Sequence, residues 1–267
     1  ARQLQRSYLP GEPPDYRGVD IAGVCEPAFE VGGDYYDFIP IDDRRLGVVV
    51  ADVAGKSLQG LMVMLMLRTI LKSTVPRHTD ALPTLCETNT LLSPDMRSGT
   101  FVTCCYYVYD SRNQTLDVVN AGHNPLLVFR VLEGRVEELK TRGRPLGLIE
   151  PEEFCRTLEY ATVELEPGDT VLAYTDGLTE SMNDRRELYG ERRLKEDFAS
   201  LARLAPGALV QRLAATARAF AGPRAQFDDM TLVALQVKRP EVPDDHGMDA
   251  AEEVSLAVDR HLTESGR

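Results

Sequence analysis

Four aspartates stand where a strand-like run meets a tight or irregular stretch of backbone. Asp34 follows Gly32-Gly33 in "FEVGGDYYDF". Asp52 lies near the end of "GVVVADVAG", Asp176 closes "TVLAYTDG", and Asp228 precedes the apolar run in "FDDMTLV". Short carboxylates at strand ends are rigid oxygen ligands, the donor type that suits hard divalent cations such as Mg²⁺ and Mn²⁺. Asp beside Gly is also a common turn pair, so the recurrence matters more than any one position. Strand alternation separates neighbours. Asp37, three residues beyond Asp34, faces the opposite way in a regular strand and is expected to be structural. Asp228 and Asp229 cannot both point into one site. His123 in "AGHNP" is read as part of a turn with its ring bonded locally. Arg142 and Arg144 flank Gly143 in a loop and have the chemistry to hold a phosphate, although loop arginines are usually solvated. No GxSxG, Cys-His or phosphate-binding-loop signature appears.

These carboxylates need elements to position them. Residues 1–14 read as the end of a helix and a proline-rich connection. Val19–Ala28, Asp34–Ile41 and Arg45–Val53 read as strands, rich in β-branched and aromatic residues. Ser57–Val75 reads as a buried helix and Leu82–Met96 as a second. "TFVTCCYYVYD" and "QTLDVVNAGH" form the next strands, followed by a hairpin turning at Glu133-Gly134. "FCRTLEYATVELEPGDTVLAYTDG" is expected to give two strands, and Glu191–Arg203 and Gly207–Phe220 two helices. "MTLVALQV" is the last strand. Strands linked by hairpins, with helices segregated in pairs, indicate an α+β domain with mostly antiparallel sheets. The main domain is placed at 15–238. Residues 239–267 are an acidic linker and a weakly amphipathic helix.

Composition narrows the partners. The chain has 267 residues and a net charge of -12. A strongly acidic chain without a basic stripe argues against nucleic acid as the main partner. Five cysteines without CxxC pairs make no disulfide framework and are expected to pack as thiols. "LMVMLML", the most apolar run, is too short to cross a bilayer, so no membrane partner and a cytoplasmic location are expected. The chain opens at Ala1 without methionine, and we expect it to be part of a longer protein.

"GGDYYDF", "ADVAGKS", "NAGHNP", "RPLGL", "YTDGLTES" and "FDDMTLV" occur in the order found in the SpoIIE/RsbU-like branch of the metal-dependent, protein phosphatase 2C-like serine/threonine phosphatases, which this chain resembles over about residues 15–238. The resemblance implies a four-layer α/β/β/α sandwich, two antiparallel sheets flanked by helix pairs, with a site for two Mn²⁺ or Mg²⁺ ions at one end. It implies that Asp52 bridges both ions and that the Val53 carbonyl helps hold the second. Asp176 and Asp228 would hold the first, and Asp34 would act directly or through water. The motif match favours Asp228 over Asp229, which is left to a supporting role. The implied activity is hydrolysis of phosphoserine or phosphothreonine on a regulatory protein of the anti-sigma-factor-antagonist type, in bacterial stress or developmental signalling. An upstream sensor domain or activator protein and a homodimer are also implied. The alternative is a catalytically inactive binding module on the same fold. Two departures stand out. Ser57 replaces a glycine usual after Lys56, and Val53-Ala54 stands where the wider superfamily often has a general-acid histidine.

Overall fold

The computed structural model describes residues 7–55, 58–97 and 99–239. Most of the expected linker helix, Lys56 and Ser57, and nearly all of the C-terminal acidic segment therefore lie outside the described residues. Among the described residues the main strands and α-helices follow in the order β1 (Val19–Glu26), β2 (Tyr35–Pro40), β3 (Arg45–Val53), α1 (Leu58–Thr74), α2 (Ala81–Leu92), β4 (Val102–Asp110), β5 (Thr115–Ala121), β6 (Leu126–Arg130), β7 (Arg135–Leu139), α3 (Pro151–Thr157), β8 (Tyr160–Glu164), β9 (Thr170–Tyr174), α4 (Asp176–Thr179), α5 (Gly190–Leu201), α6 (Pro206–Ala221) and β10 (Met230–Val237). The strands form two sheets, ordered β1-β10-β9-β6-β7 and β2-β3-β4-β5-β8. Every named pairing is antiparallel.

Three apolar layers hold the sandwich together, and strand alternation assigns each residue to one of them. On β3, Leu46, Val48 and Val50 face the core between the sheets, while Val49, Ala51 and Val53 face the α1–α2 side. On β9, Val171 and Ala173 point between the sheets, and Leu172 and Tyr174 point toward α5 and α6. On β10 the odd residues Val233, Leu235 and Val237 face inward. Each helix matches its layer by spacing. α6 buries Leu209, Val210, Leu213, Ala214 and Ala217, an i, i+3, i+4 stripe, and stops at Gly222, whose φ of +66° ends the helix at low steric cost. The stretch Leu58–Arg77 has the length and mean hydropathy, 1.3, to cross a membrane. Here Leu61, Met64, Leu67 and Leu71 are buried against the second sheet, which accounts for that apolarity.

Two expectations change. Phe154–Thr157, expected in a strand, belongs to α3. Pro151 pre-sets the first helical φ, and Glu152 and Glu153 complement the positive end of the helix. Cys86 of α2 and Cys155 of α3, expected as packed thiols, are joined in a disulfide with Cα atoms 5.4 Å apart. Cys25, Cys104 and Cys105 remain free.

Candidate metal centre

The inter-sheet layer changes character at one end. Continuing inward along β3 from Val48 and Val50, the next residue of the same parity is Asp52. On β4, inward-facing Tyr107 and Cys105 are followed by Thr103, the cross-strand partner of Asp52. On β9 and β10 the inward series reach Thr175, Thr231 and Asp229. Period-2 alternation thus carries an apolar core straight into a polar pocket.

A cleft of ≈100 Å³ opens there, and its walls include Gly32, Gly33, Asp52, Val53, Asp228 and Asp229. Beside it runs a larger groove of ≈330 Å³, lined by Gly177, Met182, Arg218, Arg224 and Phe227 among others, and sharing Asp228 with the cleft. Asp52 is held by β3, which pairs on both sides, with β2 and β4. Its carboxyl is pushed up to about 7, first by burial and then by Asp176, Asp228 and Asp229. Each charged group raising Asp52 is another aspartate, so the structure does bring three of the four predicted carboxylates into one field.

Asp34 lies deeper than Asp52. It is 1% exposed and, like Asp176, stands behind the residues that line the cleft. The hydroxyls of Thr175 and Thr231 donate to its Oδ2 at 2.8 and 2.6 Å. Burial, followed by the charges of Asp52 and Asp229, holds its carboxyl well above the usual range. Its side chain is hydrogen-bonded to that of Asp52. Asp34 supports Asp52 from below.

The two glycines before Asp34 are explained by close approach. A Cβ on Gly32 would lie 1.7 Å from Asp229 Oδ2, and one on Gly33 would lie 2.9 Å from the Val53 carbonyl oxygen. Asp229 is buried and accepts from the Ala28 and Asp34 amides at 2.9 and 3.4 Å. It clamps the 28–34 loop across the cleft floor. Asp37 is structural, as its parity suggested. It accepts from the Tyr35 hydroxyl at 2.8 Å and the Phe38 amide at 2.9 Å, and pairs with Lys72 of α1 at 3.1 Å.

His123 lies in a locked turn. Its amide donates to Asn120 Oδ1 at 2.6 Å, and Asn120 Nδ2 donates to the His123 and Asn124 carbonyls at 3.0 Å. Burial pushes the imidazole down to about 4, so it is neutral at pH 7. Arg142 and Arg144 line a separate cleft with Gly122 and His123, and Arg142 is paired with Glu159 at 2.8 Å. Neither arginine lines the aspartate cleft. Sequence reasoning missed Thr175, Thr231 and the clamping role of Asp229, and its expectation that Asp228 and Asp229 cannot both face one site fails, because both line the cleft and both raise Asp52. The available signal was parity, which puts all three on the inward face beside Asp176 and Asp228.

Among the described residues no group of three His, Cys, Asp or Glu closes around a point where an ion would sit. The donor chemistry nevertheless fits a hard cation. The cleft offers carboxylates and a backbone carbonyl, and neighbouring aspartates raise the proton affinity of Asp52 and Asp34, as in a cluster short of positive charge. An open set of oxygens suits Mg²⁺ or Mn²⁺, which complete their shells with water.

The sequence profile of the family described as stage II sporulation protein E (SpoIIE) matches residues 42–238. Protein IcfG of Synechocystis sp. is 28% identical over 226 residues, covering 74% of this chain and 35% of its own length. Phosphoserine phosphatase RsbU of Bacillus subtilis is 24% identical over 180 residues, covering 67% of this chain and 52% of RsbU. The chain thus spans about a third to a half of these curated relatives. Among solved structures, the SiaA-PP2C domain of Pseudomonas aeruginosa superposes with a TM-score of 0.74 at 22% identity, over 90% of this chain and 93% of that one. The catalytic domain of the serine/threonine phosphatase PstP, in complex with two manganese ions, gives 0.60 at 17%, over 83% and 99%. The sandwich is therefore the PP2C phosphatase fold, and the chain belongs to the SpoIIE family.

Proposed function

We propose that this domain is a metal-dependent phosphatase that hydrolyses phosphoserine or phosphothreonine on a regulatory protein. The observation that carries the reading is the end of the inter-sheet core, where Asp52 is raised to about 7 by burial and by Asp176, Asp228 and Asp229. Two Mn²⁺ or Mg²⁺ ions, held by Asp52, Asp176, Asp228 and the Val53 carbonyl, with Asp34 acting directly or through water, would supply Lewis-acid stabilisation of the phosphoryl oxygens and an activated water at neutral pH. The chain's own residues organise that site. Asp34, fixed by Thr175 and Thr231, orients the Asp52 carboxylate from beneath. Asp229 holds the Gly32–Gly33 loop against the strand ends, and Gly33 leaves the Val53 carbonyl uncrowded. The neutral His123 ring is outside the cleft, so the proton for the leaving oxygen comes from water or another group. The groove beside Asp228 gives room for the polypeptide around a phosphorylated side chain.

The likeness to phosphoserine phosphatase RsbU supports the substrate class. An anti-sigma-factor antagonist as substrate, an upstream sensor domain or activator, a homodimer, a cytoplasmic location and domain limits of 15–238 belong to the same proposal. The test is phosphate release from a phosphoserine protein of that type by chelator-treated enzyme, with and without added Mn²⁺. Release that depends on Mn²⁺ is expected. Equal release in excess chelator would remove the metal mechanism, and no release with any phosphoprotein or aryl phosphate would leave a non-catalytic binding module.

A further inference from the structure

The "NAGHNP" turn is the connection that leaves the second sheet and enters the first. β5 ends at Ala121 in one sheet and β6 begins at Leu126 in the other. Its histidine touches both. Nδ1 lies 2.9 Å from Thr103 Oγ1, and Thr103 pairs across the ladder with Asp52. The same hydroxyl is 3.4 Å from the Asp52 carbonyl. With one proton to give, it serves the nearer acceptor, Nδ1. Nε2 then carries the ring proton. That atom is buried without a well-formed hydrogen bond, and the backbone it interacts with is Tyr174, two residues before Asp176. The Tyr174 hydroxyl is engaged by the Asn124 side chain from the same turn.

We propose that His123 is a positioning residue: its ring ties the strand end that carries Asp52 to the strand end that leads to Asp176, and thereby sets the spacing of those two carboxylates. The inference rests on the phosphatase reading above. It differs from a plain turn role, because the Asn120 bonds alone would hold the turn whatever ring occupied position 123. It differs also from acid–base catalysis, since the ring does not reach the cleft. A neutral imidazole, hydrogen-bonded at Nδ1 to Thr103 and buried against the Tyr174 backbone, is a stiff spacer. Loss of a group that supports metal ligands from behind typically costs 10–100-fold in metal affinity or activity.

The test compares Thr103→Val, Thr103→Ser and His123→Leu with the unaltered protein. Thr103→Val keeps the strand shape and removes only the hydroxyl, and Thr103→Ser returns it. Mn²⁺ affinity is read on the metal-free protein by titration with electron paramagnetic resonance, and kcat and KM on p-nitrophenyl phosphate. Imidazole ¹⁵N shifts are read in the absence of metal. We expect Thr103→Val and His123→Leu each to weaken Mn²⁺ binding about 10–100-fold and to lower kcat more than they raise KM. Thr103→Ser should bind as the unaltered protein does. The double variant should be no weaker than the weaker single one, the mark of groups acting together. The nitrogen shifts should show a neutral ring protonated at Nε2. Mn²⁺ affinity and kcat unchanged in Thr103→Val would overturn the proposal. So would lowered melting temperatures with unaltered Mn²⁺ affinity, which would reduce His123 to a turn residue. An unaltered protein that binds no Mn²⁺ would overturn the phosphatase reading itself, before any variant is compared.

Discussion

Replacing Asp52 by Asn should make the metal-free protein more stable while destroying its response to metal. Asp52 titrates at about 7 in the fold against an ordinary value of 3.8. Each tenfold change in proton affinity is worth ~1.4 kcal/mol, so an ionised Asp52 costs the folded state at most about 4 kcal/mol. Solvent in the cleft screens part of that, and about 2 kcal/mol is the working figure. The unfolded chain loses this proton near 3.8, whereas the fold keeps it to about 7. Between those values the folded state binds more protons, so metal-free stability falls as pH rises and levels off above the window. Asp52→Asn should therefore match the parent below pH 4 and exceed it above pH 7. At roughly 2–4 °C per kcal/mol, the gain at pH 8 is about 6 °C. The assay is thermal melting in chelator at pH 4 and pH 8, then at pH 8 with Mn²⁺. Metal at 100-fold over its Kd should stabilise the parent by ~2.7 kcal/mol and the variant far less. A variant that melts with or below the parent at pH 8 without metal would refute the argument that Asp52 sits in an uncompensated acidic field.

Other substitutions separate the parts of the site. Asp176→Asn and Asp228→Asn should each lower Mn²⁺-dependent turnover at least ~100-fold with the far-ultraviolet dichroism of the parent; retained turnover would take either residue out of the centre. Gly32→Ala should lose ~2 kcal/mol or more in urea unfolding, because its Cβ would lie 1.7 Å from Asp229 Oδ2; a neutral result would mean that the clamp yields freely. Asp37→Ala should destabilise by ~1–3 kcal/mol through the stranded Tyr35 hydroxyl and Lys72, and leave Mn²⁺ affinity unchanged in titration; weakened Mn²⁺ binding would place Asp37 in the metal centre after all.

Much of this could be read along the chain because alternation does double duty. In "GVVVADVAG" the same period-2 pattern that sorts Val48 and Val50 from Val49 and Ala51 also aims Asp52, so reading the strand was close to reading the site. Asp37 was separable from Asp34 on the same ground. Phe154–Thr157 went astray because a seven-residue helix is too short to show periodicity, and its Pro-Glu-Glu start was the signal to weigh. Asp34 was harder. Its motif marks it as part of the site, but its depth depends on Thr175 and Thr231, which lie 141 and 197 residues away in sequence. The pairing of Cys86 with Cys155 is equally a matter of how α3 lands on α2, which no local pattern encodes.

The central claim is that the acidic end of the inter-sheet core is a two-metal centre. The most direct measurement is an anomalous difference map from crystals soaked in Mn²⁺. The account predicts two peaks about 3.5–4 Å apart in the cleft bounded by Asp52, Val53 and Asp228, with Asp176 in contact with one of them. Peaks elsewhere on the acidic surface, or none in that cleft at saturating Mn²⁺, would contradict it.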